Sequence, residues 1–263
     1  MTTTSSATTS PAPVRRSALD AIHAALGARW ISETIRWPES YGDVERERAS
    51  LGAGVALAEP GPFDKLAVNG PRALDAVRAA GLQGEPGRLT PATPGQPNAW
   101  VIAPDQVLLA WPAWMPGAWT PLRPDGGSDL ADQLRAAGAA VTDVSSGYTT
   151  LRLIGPRARD LLGELCPIDL HETVLPNLGI VQLAMANCRV TMARRDHAEL
   201  PGFVVIVARD EAEHLWDVLS TLGAAHGLVP VGGAAITPPN LAAAAAAGAT
   251  QPNLAAAAKK ARR

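Results

Sequence analysis

Apolar residues alternate with polar or small ones into a Gly-Pro turn at two places along this chain. The first is Leu66-Ala67-Val68-Asn69-Gly70-Pro71-Arg72-Ala73, and the second is Leu151-Arg152-Leu153-Ile154-Gly155-Pro156-Arg157-Ala158. A period of two marks a half-buried strand, glycine permits the tight turn, and proline suits the first position of a following helix. Each phrase therefore predicts strand, turn and helix start. After the first copy, the pattern predicts a strand over 65–68, a helix over 71–80, a strand pair over 100–103 and 106–110 turned by Pro104-Asp105, and a helix over 129–137. After the second it predicts a strand over 149–154, a helix over 156–165, strands over 180–186, 188–193 and 202–207, and a helix to about 222 capped by Asp210 with Glu213.

Two helices precede the repeat. Ser17 followed by Asp20 has the form of a capping box, with Leu19, Ile22 and Leu26 at helical spacing up to Gly27. A helix over 43–51 carries Glu45, Arg46, Glu47 and Arg48, read as a solvated face. Strand-helix-strand-strand-helix, met twice, argues for an α+β fold of two pseudo-symmetric halves, with mixed or antiparallel sheets around a central cavity. The expected divisions are a disordered Ser/Thr/Pro-rich tail (1–16), a first half (17–140), a second half (141–236) and an Ala-rich basic tail (237–263).

Composition narrows the classes of function. A net charge of -2 over 263 residues gives no basis for nucleic-acid binding, and no apolar run approaches the roughly 20 residues of a membrane span. The two cysteines, Cys166 and Cys188, are isolated; they suit a reducing compartment, and we expect a cytoplasmic protein without bound metal. The five histidines show no ligand spacing. Trp111, Trp114 and Trp119 crowd a proline-rich stretch in a chain with two Phe and two Tyr, which marks that loop as a candidate subunit interface.

Several ordered phrases resemble the glycine-cleavage T-protein superfamily, which comprises the folate-dependent aminomethyltransferases, the gamma subunit of heterotetrameric sarcosine oxidase and related folate-binding proteins. They are His23 with Leu26-Gly27-Ala28-Arg29, Trp37-Pro38, Tyr41, Gly54-Val55-Ala56-Leu57 and both Gly-Pro-Arg-Ala turns. In the second half Asp143-Val144-Ser145-Ser146-Gly147-Tyr148, Cys166-Pro167 and Gly202-Phe203 look especially like the sarcosine oxidase gamma branch, and Gly227-Leu228-Val229-Pro230-Val231-Gly232 resembles the family's Pro-x-Gly exit from that half. The resemblance implies a T-protein-like fold lacking the C-terminal barrel domain, tetrahydrofolate as cofactor, a small amine or methyl donor, and flavoprotein oxidase subunits as partners.

The chain departs from the family's catalytic pattern. Where active members carry an Asp-Asp pair, this chain runs Pro97-Asn98-Ala99-Trp100 to Pro104-Asp105, leaving Asp105 as the candidate catalytic carboxylate. Where they carry a glutamate that binds the pterin, this chain has Arg195-Asp196-His197-Ala198-Glu199-Leu200-Pro201-Gly202, with Glu199 as candidate ligand and Asp196 and His197 as alternatives lining the hole. Tyr148 and Arg194 are candidate contacts for a pterin face and a glutamate tail. The expectation is a folate-binding, sarcosine oxidase gamma-like subunit with weakened catalysis. The alternatives are a stand-alone tetrahydrofolate-dependent transferase using Asp105, and an iron-sulfur maturation factor, whose Lys-Gly-Cys-Tyr-x-Gly-Gln signature is missing.

Overall fold

The computed structural model describes residues 15–32, 35–61, 64–92, 96–111 and 128–236. The expectations for the alanine-rich tail and for Trp114 and Trp119 lie outside the described residues. Two short pairs open the chain: β1 (Arg15–Arg16) runs parallel to β3 (Ile35–Arg36), and β2 (Arg29–Trp30) antiparallel to β4 (Pro38–Ser40). Helices α1 (Asp20–Ala25) and α2 (Val44–Ser50) follow, with strand β5 (Val55–Ala58) after them.

The two Gly-Pro phrases build matching turns. β6 (Asp64–Asn69) leads to α3 (Ala73–Ala79), and β11 (Tyr148–Ile154) to α5 (Ala158–Gly163). Ala73 N–H donates to Gly70 C=O at 2.9 Å and Ala158 N–H to Gly155 C=O at 3.1 Å, so each Gly-Pro-Arg-Ala closes on itself before its helix begins. The prolines therefore lie in the turn and not, as the sequence suggests, at the first helical position.

Each unit then adds four strands and a helix. The first supplies β7 (Arg88–Thr90), β8 (Asn98–Ala103), β9 (Gln106–Trp111), α4 (Ser128–Ala136) and β10 (Ala140–Asp143). The second supplies β12 (Ile180–Met185), β13 (Cys188–Arg194), β14 (Gly202–Ala208), α6 (Ala212–Gly223) and β15 (Leu228–Pro230). The expected mixed and antiparallel sheets are present. One is antiparallel, in the order β10-β6-β9-β8-β7; the other runs β12-β13-β14-β11-β5-β15, with only β15 and β5 parallel. Strand β5 thus comes from before the first repeat yet sits inside the second sheet, between β11 and β15.

Alternation sorts the side chains into layers. Leu66, Val68, Val101, Val107 and Leu109 pack with α3 and α4, while Leu151, Leu153, Val190, Phe203 and Val205 pack with α5, α6 and Leu19. The opposite faces meet through Leu89, Trp100, Leu108, Ala110, Ile180, Ala193, Val204 and Ile206. Along one side the sheets also join by backbone, with Leu89 N–H donating to Leu178 C=O and Ile180 N–H to Gly87 C=O, each at 2.8 Å. None of the described helices is long and apolar enough to cross a membrane.

Three local expectations give way to tertiary contacts. Ser17 does not cap α1. Its hydroxyl hydrogen-bonds buried Glu59 and accepts from Leu19 N–H at 2.8 Å, so a carboxylate that needs donors draws it away. Glu47 is not on a solvated face; it is buried and accepts from the backbone N–H groups of Tyr41 and Gly232, both at 2.7 Å. The helix expected to start at Asp210 begins with a 3-10 turn, Arg209–Glu211, and α6 has no side-chain cap.

The Gly54–Gly155 approach yields a prediction. A Cβ on Gly155 would stand 2.2 Å from the Gly54 carbonyl oxygen, whereas one on Gly70 meets nothing within 4 Å; both have positive φ, +137° and +108°. Gly70→Ala should cost about 1–3 kcal/mol, the backbone strain alone. Gly155→Ala should cost more than about 4 kcal/mol or prevent folding, as urea denaturation of the two variants will show.

Candidate functional site

The inner face of the second sheet carries a basic residue, Arg152, on β11. Arg152 stands in register between Ala58 of β5 and Val204 of β14, so its side chain rises through an apolar surround. Its Nη2 donates to His197 Nδ1 at 3.4 Å, which leaves the His197 proton on Nε2. Arg195 reaches across to the first sheet, where Nη1 meets Asn98 Oδ1 at 3.5 Å. Asn98 is itself fixed, accepting from Ala92 N–H at 2.9 Å and donating to Ala110 C=O at 3.1 Å.

Electrostatics mark this cluster as strained. Burial, then the neighbouring Arg195, pulls the Arg152 guanidinium down to about 10. Burial also lowers Arg195. His197 is held below its ordinary value of 6.5, first by burial and then by the charges of Arg152 and Arg195. Such a site holds an anion well and disfavours a cation.

The four residues singled out from sequence do not meet in one place. Asp105 is exposed in the β8–β9 turn, where its carbonyl accepts from Gly70 N–H at 3.0 Å. Tyr148 lies at the far end of β6, where its carbonyl accepts from Lys65 Nζ at 3.2 Å. The six-residue strand β6 separates them by about 17 Å. Tyr148 is 42% exposed and lines an open hollow of about 680 Å³ with Asp64, Asp143, Ser145 and Ala208. Arg194 and Glu199 lie at the opposite end of β14 from Tyr148, since Arg194 pairs with Phe203 and Tyr148 with Ala208. Glu199 is exposed in the turn closed by His197 and Leu200. Arg194 is already engaged, with Nε and Nη2 on the two Asp196 carboxylate oxygens at 2.9 and 3.1 Å. Trp111, expected in an interface loop, buries its ring in the core under α3 and α4.

Sequence reasoning passed over Arg152, Arg195 and Asn98, and named His197 only as an alternative. The one available signal was Arg152 itself, the single charge in a strand that also carries Leu151, Leu153 and Ile154. A second polar group also escaped notice: buried Glu59 accepts from Ser17 and lies 2.8 Å from His23 Nε2, and Tyr41 Oη lies 2.7 Å from His23 Nδ1. Burial, Glu59 and Glu47 raise the Tyr41 phenol, so it stays a neutral hydroxyl rather than a base. This network ties α1 to β5. The two cysteine thiols, which form no disulfide, are also raised by burial, Cys166 to about 11, and are poor nucleophiles.

Comparison with known proteins agrees with the fold. The GCVT N-terminal domain model matches residues 126–240. The aminomethyltransferase of Streptomyces coelicolor is 26% identical over 230 residues, covering 83% of this chain and 60% of the relative. That of Acidobacterium capsulatum is 26% identical over 242 residues, covering 86% and 61%. The chain therefore spans about 60% of the length of these curated relatives. Among solved structures, a chain of the heterotetrameric sarcosine oxidase of Corynebacterium sp. U-96 aligns with a TM-score of 0.58 at 21% identity, covering 82% of this chain and 97% of that one. The glycine cleavage aminomethyltransferase T of Bartonella henselae aligns at 0.60 and 19%, covering 83% and 60%. In sequence and in fold, the chain resembles the glycine-cleavage T-protein superfamily.

Two predictions test the polar groups. Because the His197 pKa is depressed in the folded state, the unfolded chain binds the extra proton first; the contribution of His197 is full above about pH 6.5 and declines as pH falls toward the folded value. His197→Gln should flatten the loss of stability between about pH 7.5 and about pH 5.5, read from denaturant midpoints. Glu59→Leu leaves the Ser17 hydroxyl and His23 without their acceptor and should cost about 3 kcal/mol by urea denaturation.

Proposed function

We propose that this chain is a T-protein-like, tetrahydrofolate-binding subunit of one-carbon or methylamine metabolism, comparable to a sarcosine oxidase gamma subunit, with weak or absent transfer chemistry of its own. The observation that carries this reading is the basic cluster of Arg152, Arg195 and His197 beside Asn98. Transfer of a one-carbon unit from an amine passes through an iminium cation, which a carboxylate stabilises. Asn98 lies in the segment where the resemblance sets that carboxylate, and an amide carries no charge. A guanidinium about 6 Å from an iminium would raise its energy by about 3 kcal/mol at an effective dielectric of about 20.

The residues favour one end of the cofactor. A pterin offers donors and calls for an acceptor, whereas this cluster is made of donors and suits the carboxylates of the glutamyl tail. Tyr148, exposed at its hollow, is our candidate for a ring contact. When bound, tetrahydrofolate supplies the amine that accepts a one-carbon unit; the part assigned to this chain is to hold the cofactor while a flavoprotein partner oxidises the donor.

Thermal unfolding with tetrahydrofolate, run beside affinity capture from native extract, tests the proposal. At a hundred times its dissociation constant the cofactor should add about 2.7 kcal/mol, a shift of several degrees, and a flavoprotein should co-purify. Asp105→Ala should leave the shift unchanged. Absence of both the shift and the flavoprotein would overturn the reading, and transfer activity lost in the Asp105 variant would favour a stand-alone enzyme.

A further inference from the structure

Two buried polar atoms on the inner face of β11 have no hydrogen-bond partner among the described residues, the Oγ1 of Thr150 and the Nε of Arg152. Thr150 and Arg152 are two residues apart on one strand, so their Cα atoms stand about 7 Å apart on the same face. Arg195 and His197 stand beside Arg152, and among the described residues no carboxylate forms an ion pair with either arginine. Like charges buried together without a counter-charge are costly, and the apolar flanks of Ala58, Ile154 and Val204 remove the solvent that would screen them. A bound anion would remove that cost.

The donors define the ligand. The free Nε edge of Arg152, the Thr150 hydroxyl and the His197 Nε2–H all offer protons, while the acceptor nitrogen of His197 is taken up by Arg152. A guanidinium edge matches a planar carboxylate through paired hydrogen bonds, and these strengthen in a low-dielectric surround. We infer that Thr150, Arg152, Arg195 and His197 form a carboxylate-binding site on the inner face of the second sheet. The carboxylate comes either from a free carboxylic acid or from the glutamyl end of a folate; the latter source rests on the function proposed above.

The full chain is titrated calorimetrically, at constant ionic strength, with glutarate, p-aminobenzoylglutamate, tetrahydrofolate and inorganic phosphate. Wild-type protein and the variants Arg152→Gln, Arg195→Gln and Thr150→Val are compared, each first shown to unfold cooperatively. We expect saturable one-to-one binding of glutarate or p-aminobenzoylglutamate, weakened about tenfold or more in Arg152→Gln and in Arg195→Gln, and less in Thr150→Val. Preference for p-aminobenzoylglutamate identifies the folate tail as the source, and preference for glutarate a free acid. The site is overturned if neither carboxylate probe saturates, if the folded arginine variants bind them as wild type does, or if phosphate binds as tightly. Tetrahydrofolate binding unaffected by Arg152→Gln would remove the site and leave the folate reading standing; glutarate binding without tetrahydrofolate binding would do the reverse.

Discussion

The backbone crossing at Gly54, Gly155 and Gly227 holds the second half of this protein together. A Cβ on Gly54 would stand 2.6 Å from the Gly227 carbonyl oxygen, and one on Gly155 2.2 Å from that of Gly54. Three chain segments distant in sequence therefore pass at a separation that only glycine permits. Because they do, β5 slots between β11 and β15 and carries Glu59 to the place where Ser17 and His23 meet it. Helix α1, the inner face of the second sheet and the flank of Arg152 all take their positions from that crossing.

The two sheets meet through an apolar patch, and this sets the character of the polar groups at its margin. Trp100, Leu108, Val204 and Ile206 exclude water from the interface. Lys65 and Asn98, on the inner face of the first sheet, reach across to the Tyr148 carbonyl and to Arg195 of the second. Charges in such a surround interact strongly, which is why, on top of burial, Arg195 lowers Arg152 and both arginines lower His197. A T-protein-like scaffold that places cations here suits the recognition of anions better than the stabilisation of a developing positive charge.

The repeat was legible because its signals are local. Alternation into Gly-Pro specifies a strand and a self-closing turn whatever surrounds it, and Ala73 and Ala158 close their turns alike. Strands β7, β10 and β15 escaped notice because three or four residues give too short a pattern to stand out. Strand β5, buried at all four positions, shows no alternation at all. The candidate site was harder still: Asp105, Tyr148, Arg194 and Glu199 were chosen by type and by resemblance, and nothing local reveals that they lie at different sheet ends.

Glu47 and Arg152 show where local reading stops. From the chain alone follow two strand-turn-helix units, sheets of mixed or antiparallel kind, and a likeness to the T-protein superfamily, since periodicity and turn chemistry act over a few residues. Whether a charged side chain is solvated, paired or stranded depends on what distant segments bring to it. Glu47 faces inward because Gly232, far along the chain, presents an N–H. Arg152 has no counter-charge among the described residues because the strands beside it present only Ala58 and Val204. Long-range packing fixes the dielectric and the partners of each charge, and with them the chemistry that the second sheet can support.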